Sequence, residues 1–156
     1  MNEAVLRPMN SKDIDIIVEM EQICFTTPWS RKSIEQEYDN NCAKWCVLEQ
    51  NEAIIAYGGM WIIFDEAHII NIAVHPDSRQ RGYGTQIMHE LFKMAKKEGA
   101  TRMTLEVRRS NVAAQKLYAN MGFVPVGVRK RYYPDNHEDA LILWNDDIAK
   151  QVSPGI

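Results

Sequence analysis

The stretch from Ile72 to Thr85 constrains this chain more than any other part of the sequence, because it places a strand, a basic loop and a helix start in immediate succession. An apolar run leads into a turn that contains proline, and the following loop carries two arginines and two glycines one residue apart. An amphipathic helical pattern begins directly afterwards. Main-chain N–H groups at a helix N-terminus attract anions, and glycine lets the backbone approach a ligand closely. This order of parts predicts an anion site whose ligand is a pyrophosphate.

Composition and charge narrow the class of protein. The chain has 156 residues, of which 46% are hydrophobic and 25% charged, as is ordinary for one soluble globular domain. We therefore expect a single domain over residues 1–148 and a frayed tail over residues 149–156. A net charge of −3 gives no reason to expect direct nucleic-acid binding. Because no apolar run reaches the roughly 18 residues that span a bilayer, we also expect no membrane contact and a cytoplasmic location.

The cysteines and histidines are not spaced as metal ligands usually are. The three cysteines are odd in number, and we interpret them as free thiols of a reducing compartment. His75 follows the apolar run and precedes Pro76, so we assign it to a turn rather than to catalysis. The sequence therefore predicts a protein that uses no metal.

Hydrophobic periodicity and capping residues predict an alternation of strands and helices. Asn10 or Ser11, Ser30 and Asn111 are predicted helix caps, and Gly58-Gly59 predicts a bulge or a close backbone contact. The order β-α-α-β-β-β-α-β-α-β-β predicts an α/β (α+β) fold, a mixed sheet of about seven strands with helices on both faces. Helices are predicted at about 12–24, 31–38, 83–97 and 112–121. Strands are predicted at about 5–7, 44–49, 53–64, 67–74, 103–107, 123–128 and 140–144.

Two segments together resemble the GCN5-related N-acetyltransferase (GNAT) family. The family's phosphate-loop motif, Gln/Arg-x-x-Gly-x-Gly/Ala, is matched by Arg79, Gly82 and Gly84. The segment from Asn111 to Phe123 is similar to the family's second cofactor segment. The resemblance covers nearly the whole chain and implies the GNAT fold, with a mostly antiparallel sheet, and acetyl-CoA as the cofactor.

The resemblance also implies where the cofactor binds. The loop main chain holds the pyrophosphate of coenzyme A, and the pantetheine arm pairs with the backbone of Ile72-Ala73-Val74. The same strand offers an N–H to the thioester oxygen, where negative charge develops. The implied cofactor-binding residues are Ile72, Ala73, Val74, Arg79, Gln80, Arg81, Gly82, Tyr83, Gly84, Thr85, Asn111 and Tyr118.

Glu106 and Tyr118 are the candidate catalytic residues. Glu106 is the one acid inside an apolar strand, and from the pattern alone it is equally an outward-facing carboxylate paired with Arg102 or Arg108. The resemblance favours a general base that acts through water. A tyrosine on an apolar helix face is usually core, but Tyr118 matches the family's general acid, which returns a proton to the sulfur. Transfer is then direct, within a ternary complex, without an acetyl-cysteine.

A weak carboxylate relay suits a protein N-terminus, because an α-amino group has a pKa near 8 and a lysine amine one near 10.4. Within the family, the segments Pro28-Trp29-Ser30 and Tyr132-Tyr133-Pro134 resemble bacterial enzymes that acetylate the N-terminal alanine of a small-subunit ribosomal protein. The N-terminus of a ribosomal protein is then the partner, and we expect a monomer or weak dimer. An acceptor lysine, antibiotic or polyamine, and a non-catalytic coenzyme A-binding module, remain alternatives.

Aromatic walls and a carboxylate could receive a short peptide and the positive charge that follows its N-terminus. The same side chains could instead belong to the core and to a solvated loop. The candidate groove residues are Trp29, Tyr132, Tyr133 and Glu138.

Overall fold

The computed structural model describes residues 4–150. Its four helices are α1 (Ile14–Cys24), α2 (Arg31–Asp39), α3 (Tyr83–Lys97) and α4 (Val112–Asn120). Its strands are β1 (Val5–Pro8), β2 (Ala43–Gln50), β3 (Ala53–Ile63), β4 (Glu66–Val74), β5 (Arg102–Arg108), β6 (Val124–Arg129) and β7 (Ala140–Asn145). The strands form one seven-stranded sheet in the order β1-β2-β3-β4-β5-β7-β6, antiparallel except between β4 and β5. The predicted fold class and element order are confirmed.

Capping residues explain where the helices begin and end. The side chains of Ser30 and Asn111 each accept a hydrogen bond of 3.1 Å from the main-chain N–H three residues on. Asn10 caps a short 3₁₀ turn that runs into α1. Gly82 (φ +80°) precedes α3, and Gly99 (φ +89°) follows it. Both glycines adopt the left-handed backbone conformation that other residues avoid, so the bounds of α3 follow from the local sequence.

Two hydrophobic layers cover the sheet. On one face α3 packs against the central strands through residues such as Ile87 and Leu91, and α4 joins the same cluster. On the other face α1 and α2 enclose a second cluster that includes Ile17, Ile34 and Trp45. Helices therefore lie on both faces, as the sequence predicts.

The glycine pair in β3 confirms both the predicted bulge and the predicted close contact. A Cβ atom on Gly59 would lie 2.4 Å from the Trp45 ring, and one on Gly58 would lie 2.5 Å from Cγ2 of Ile87. The register between β3 and β4 shifts next to Gly59, which pairs with Asn71. The pair therefore lets the sheet pack closely on both sides, and the bulge lies beside Asn71, which lines the site described below.

The separation of β4 and β5 positions the site. Within residues 4–150 these strands pair only through Glu66–His68 and Arg102–Thr104. Beyond this point, residues 69–72 and 105–108 form opposite walls of a cavity. The sheet therefore opens in its middle, between two strands that start side by side.

The last described element is a 3₁₀ turn, Ile148–Lys150, in which Ile148 is buried. The remaining part of the predicted tail, residues 151–156, lies outside the described residues. In the part of the chain that the structure describes, none of the helices has the length and apolar character needed to cross a membrane.

Candidate active site

A cavity of about 480 Å³ lies between the end of β4, the glycine loop and α4, and we call it the donor cavity. Gln80 (φ +64°) and Gly82 (φ +80°) both take the left-handed conformation, and residues 82–85 at the start of α3 line the cavity. A Cβ atom on Gly82 would meet nothing within 4 Å, and one on Gly84 would meet only Cγ2 of Val74, at 3.8 Å. The first turn of a 15-residue helix therefore borders open space, which is the arrangement that binds phosphate.

Most of the predicted cofactor-binding residues come together in the donor cavity. Arg81 is exposed and is not one of the lining residues, and Asn111 and Tyr118 line the neighbouring cavity instead. Sequence reasoning missed the apolar walls, which come from the end of α1 and from α4. The predicted residues that line the donor cavity are Ile72, Ala73, Val74, Arg79, Gln80, Gly82, Tyr83, Gly84 and Thr85. The additional wall residues include Cys24, Phe25, Ala113, Ala114 and Leu117.

Arg79 reaches back to the end of β4. Its Nε donates a hydrogen bond of 3.0 Å to the carbonyl of Val74, and Sγ of Cys24 lies 3.7 Å from the same oxygen. The guanidinium therefore places positive charge on the wall of the donor cavity while it bonds to the main chain of β4. A ligand that used this carbonyl would have to displace Arg79.

A second cavity, of about 300 Å³, lies between the diverging strands β4 and β5, and we call it the acceptor cavity. Phe25, Ile72 and Ala114 line both cavities, so the two are adjacent. Glu106 and Tyr118, the predicted catalytic residues, both line the acceptor cavity. The structure thus brings the glycine loop and two candidate proton-transfer groups to the same gap in the sheet.

Glu106 is a largely buried carboxylate, and both of its oxygens have partners. Its side chain is 10% exposed, and Oε2 lies 2.7 Å from Nε2 of His68. Oε1 lies 3.3 Å from Nε of Arg129. Burial alone would raise the pKa of Glu106, but His68 and Arg129 together hold this pKa below its ordinary value. Glu106 is therefore ionised at neutral pH.

The alternative partners of Glu106, Arg102 and Arg108, are both bound elsewhere. The interpretation of Glu106 as an outward-facing carboxylate paired with either arginine is therefore wrong. Acidic residues on neighbouring strands and loops compete more successfully for the two guanidinium groups. At 2.9–3.3 Å, Arg102 pairs with Glu66 and Asp146, and Arg108 pairs with Asp135 and Glu138.

Tyr118 and Asn111 are presented by α4. The Tyr118 ring packs edge-to-face on Phe123, with 5.8 Å between the ring centroids. Burial raises the pKa of Tyr118 to about 12, so its hydroxyl keeps its proton at neutral pH. Asn111 caps α4, as predicted, and also lines the acceptor cavity.

The four candidate groove residues divide into two pairs. Trp29 and Tyr133 line the acceptor cavity. Tyr132 is about half exposed and packs on Tyr133, with 5.0 Å between the ring centroids. Glu138 lies outside the residues that line the cavity, and it accepts a hydrogen bond of 2.6 Å from the main chain of Ser110. With its ion pair to Arg108, this bond fixes the β6–β7 loop to the end of β5.

Sequence reasoning missed Glu21, a buried residue of α1 that lines the acceptor cavity. Its carboxylate accepts hydrogen bonds from the hydroxyl of Tyr57, from Nδ2 of Asn71 at 2.6 Å and from the main-chain N–H of Trp29 at 2.9 Å. A signal was present, because Glu21 follows Ile17 by four residues and so lies on the apolar stripe of the helix.

A model of the acetyltransferase (GNAT) family matches residues 14–123. The chain belongs to this family. Among curated relatives of this GNAT protein, a Bacillus subtilis (strain 168) protein with the provisional name ribosomal protein bS18-alanine N-acetyltransferase is 41% identical over 143 residues, covering 91% of this chain and 95% of that protein. The ribosomal protein bS18-alanine N-acetyltransferase of Escherichia coli (strain K12) is 34% identical, covering 86% of this chain and 92% of that protein.

The fold comparison agrees with the sequence comparison. The crystal structure of the ribosomal-protein-S18-alanine N-acetyltransferase from Escherichia coli superposes on this GNAT domain with a TM-score of 0.87 and 29% identity. The match covers 99% of both chains. The family resemblance drawn from the phosphate-loop motif is therefore confirmed.

Proposed function

We propose that this protein transfers the acetyl group of acetyl-CoA to the α-amino group of an N-terminal alanine on a small-subunit ribosomal protein. The observation that carries the chemistry is the adjacency of the donor and acceptor cavities, which share Phe25, Ile72 and Ala114. The relatives at 41% and 34% identity are named as ribosomal protein bS18-alanine N-acetyltransferases, which supports this acceptor.

The donor cavity fits the pyrophosphate and pantetheine parts of acetyl-CoA by its chemistry. Its volume of about 480 Å³ is that of a small-molecule site. Residues 79–85 would hold the pyrophosphate, because the loop and the first turn of α3 present main-chain N–H groups. Ala113, Ala114 and Leu117 supply an apolar wall for the pantetheine arm. When bound, acetyl-CoA supplies an acetyl group activated as a thioester.

Glu106 removes the proton from the acceptor amine through an intervening water. Roughly a tenth of α-amino groups, with a pKa near 8, are already neutral at pH 7, so a weak base is sufficient. A carboxylate with a lowered pKa is a weak base, and it therefore suits an α-amine better than a lysine. A main-chain N–H of β4 stabilises the negative charge that develops on the carbonyl oxygen.

Tyr118 gives its hydroxyl proton to the departing sulfur. With a pKa of about 12, the hydroxyl stays protonated until the thiolate forms beside it. Cys24 also lines the donor cavity, but burial raises the pKa of its thiol and leaves it a poor nucleophile. Direct transfer from thioester to amine is therefore favoured over an acetyl-cysteine.

The test is acetylation of three acceptors by the purified protein with acetyl-CoA. The first is a peptide that begins Ala-Arg, the second is the same peptide with a blocked N-terminus and an internal lysine, and the third is spermidine. Mass spectrometry locates the added acetyl group, and thiol release gives the rate. We expect acetylation of the free N-terminal alanine to be fastest.

Faster transfer to lysine or to spermidine would contradict the proposed acceptor while leaving the acetyltransferase chemistry intact. Binding of coenzyme A without transfer to any amine would indicate a binding module instead. Mass spectrometry of ribosomal-protein N-termini from cells with and without the gene then identifies the acceptor.

A further inference from the structure

His68 lies directly behind Glu106 at the closed end of the strand separation. It is the last residue of β4 that pairs with β5, opposite Thr104. Its Nε2 is 2.7 Å from Oε2 of Glu106, and its side chain is 33% exposed whereas that of Glu106 is 10% exposed. His68 therefore connects the buried carboxylate of the acceptor cavity to the surface.

The His68 side chain is held against Glu106 more firmly than the Arg129 side chain is. Arg129 is half exposed and approaches Glu106 at 3.3 Å, and exposed ion pairs of this kind hold a side chain weakly. The His68 ring packs edge-to-face on Trp61 with 6.0 Å between the ring centroids. Trp61 is itself fixed by a hydrogen bond of 2.7 Å to Glu37 of α2. The imidazole is thus oriented from the side of β3 and aimed at Glu106.

We infer that His68 is a positioning residue for acetyl transfer, which holds Glu106 toward the acceptor cavity through the bond between its imidazole and that carboxylate. The inference rests on the proposed function. In either protonation state the imidazole can donate an N–H to Oε2 of Glu106 and so fix the direction of the carboxylate.

The charged and titratable groups around the pair are Arg129 on β6, Tyr132 and Tyr133 in the β6–β7 loop, Glu37 behind Trp61, and Glu66 with Arg102 at the strand starts.

Two substitutions test the holding role. His68→Gln keeps an N–H donor near Glu106, and His68→Leu has none. The measurement is kcat and KM at pH 7 for an Ala-Arg peptide without acidic residues or histidine, at saturating acetyl-CoA.

His68→Leu should lose about tenfold or more in kcat at pH 7 with little change in KM for the peptide, because its base is no longer aligned. His68→Gln should recover most of that loss, because its amide N–H can replace the imidazole donor. Full turnover of His68→Leu, or equal losses in His68→Leu and His68→Gln, would overturn the inference.

His89→Gln is the matched control, because His89 lies on α3 outside the residues that line either cavity. It should leave kcat and KM for the peptide unchanged. A ¹³C NMR titration of the Glu106 carboxyl in the resting protein tests the contact without any acetyl transfer. Glu106 should titrate at higher pH in His68→Leu than in the wild type, because burial remains while the main contact that lowers its pKa is gone.

The two measurements keep the two proposals apart. If no amine is acetylated, the proposed function fails, and the inference fails with it even when the Glu106 titration responds to His68. If peptides are acetylated but the Glu106 titration is the same in all variants, the inference alone fails.

Discussion

Asn71 donates an N–H of its side-chain amide to Oε2 of Glu21 at 2.6 Å, and so joins the bulged part of β4 to the end of α1. The other oxygen of Glu21 accepts the main-chain N–H of Trp29 at 2.9 Å. One buried carboxylate therefore fixes two walls of the acceptor cavity relative to each other. It does so through hydrogen bonds, which compensate for its burial.

Glu21→Gln should weaken acceptor binding more than it slows turnover. The new amide presents an N–H donor where the carboxylate accepted a hydrogen bond. One of the hydrogen bonds to Asn71, Tyr57 or Trp29 is therefore lost. We expect KM for the peptide to rise several-fold, acetyl-CoA affinity to stay unchanged, and the free energy of unfolding to fall by about 1–3 kcal/mol. Steady-state kinetics and urea unfolding measure these effects. Glu19→Gln, on the exposed side of α1, is the control, and an unchanged peptide KM in Glu21→Gln would contradict the assignment.

Glu106→Gln should lower turnover by roughly 10²-fold near pH 7 while it spares acetyl-CoA affinity. The amide can still bond to its neighbours but cannot take a proton. The deficit should shrink as pH rises toward 9, because the acceptor amine, with a pKa near 8, then needs no base. Turnover measured from pH 6.5 to 9 checks this trend. A deficit of constant size across that range would argue against proton removal by Glu106.

Tyr118→Phe should lower turnover while it leaves the fold and acetyl-CoA affinity nearly unchanged. The substitution keeps the ring that packs on Phe123 and removes only the hydroxyl. General acids typically contribute about 10²-fold or more, and a thiolate leaving group needs less help than an amine, so we expect a loss of at least about tenfold. Stopped-flow detection of thiol release measures it. Full activity in this variant would leave Tyr118 as a packing residue only.

Gly59→Ala should destabilise the protein by about 1–3 kcal/mol, because its Cβ would overlap the buried ring of Trp45. Gly127→Ala, on the edge strand β6, is the matched control. Its Cβ would lie 3.5 Å from Cδ1 of Ile142, which is an ordinary contact, so we expect a change within about 0.5 kcal/mol. Thermal unfolding compares the two variants. Equal melting temperatures would show that the Trp45 ring moves aside without cost.

Asp13→Asn should reduce stability in a pH-dependent way. The buried carboxylate of Asp13 accepts two hydrogen bonds of 2.8 Å from Arg7 and one of 2.8 Å from the main chain of Asn10. Burial alone would raise the pKa of Asp13, but these donors hold the pKa below its ordinary value. The stabilisation is therefore complete above the unfolded-state pKa, near 3.9, and is lost as pH falls through the lower folded-state pKa.

We expect Asp13→Asn to lower the free energy of unfolding by about 3 kcal/mol at pH 7. The difference from the wild type should shrink below about pH 4 as Asp13 becomes protonated. Urea unfolding at a series of pH values measures that difference, and Asp15→Asn, at an exposed pair with Arg31, serves as the control. A difference that stays constant down to pH 3 would exclude the linkage.

Local signals predicted the elements and the donor cavity. Ser30, Asn111 and Gly82 act on the few residues next to them, so their effect can be read from the sequence around each. The loop between β4 and α3 is equally local, because strand, loop and helix follow one another without interruption. Only the ends of elements moved, by two residues or fewer.

The contacts inside the acceptor cavity were not predictable in the same way. Glu21 and Asn71 are 50 residues apart, and His68 and Glu106 are 38 apart. Each pair depends on the lateral order and register of the strands. The alternation of polar and apolar residues along a strand does not specify either of these. Arg102 and Arg108 were the sequence neighbours of Glu106, but apart from Glu66 at the start of β4 their partners lie in loops whose course the sequence pattern leaves open.

The early separation of β4 from β5 leaves two inner edges that face each other inside one sheet. Main-chain groups on such edges exist whatever side chains the strands carry. Contacts with the acetyl donor thus depend on main-chain groups. The rim of the opening, formed by the α1–α2 and β6–β7 connections, depends instead on side chains. Substitutions at the rim alone should therefore change which amine is accepted, while the separated strands keep their course.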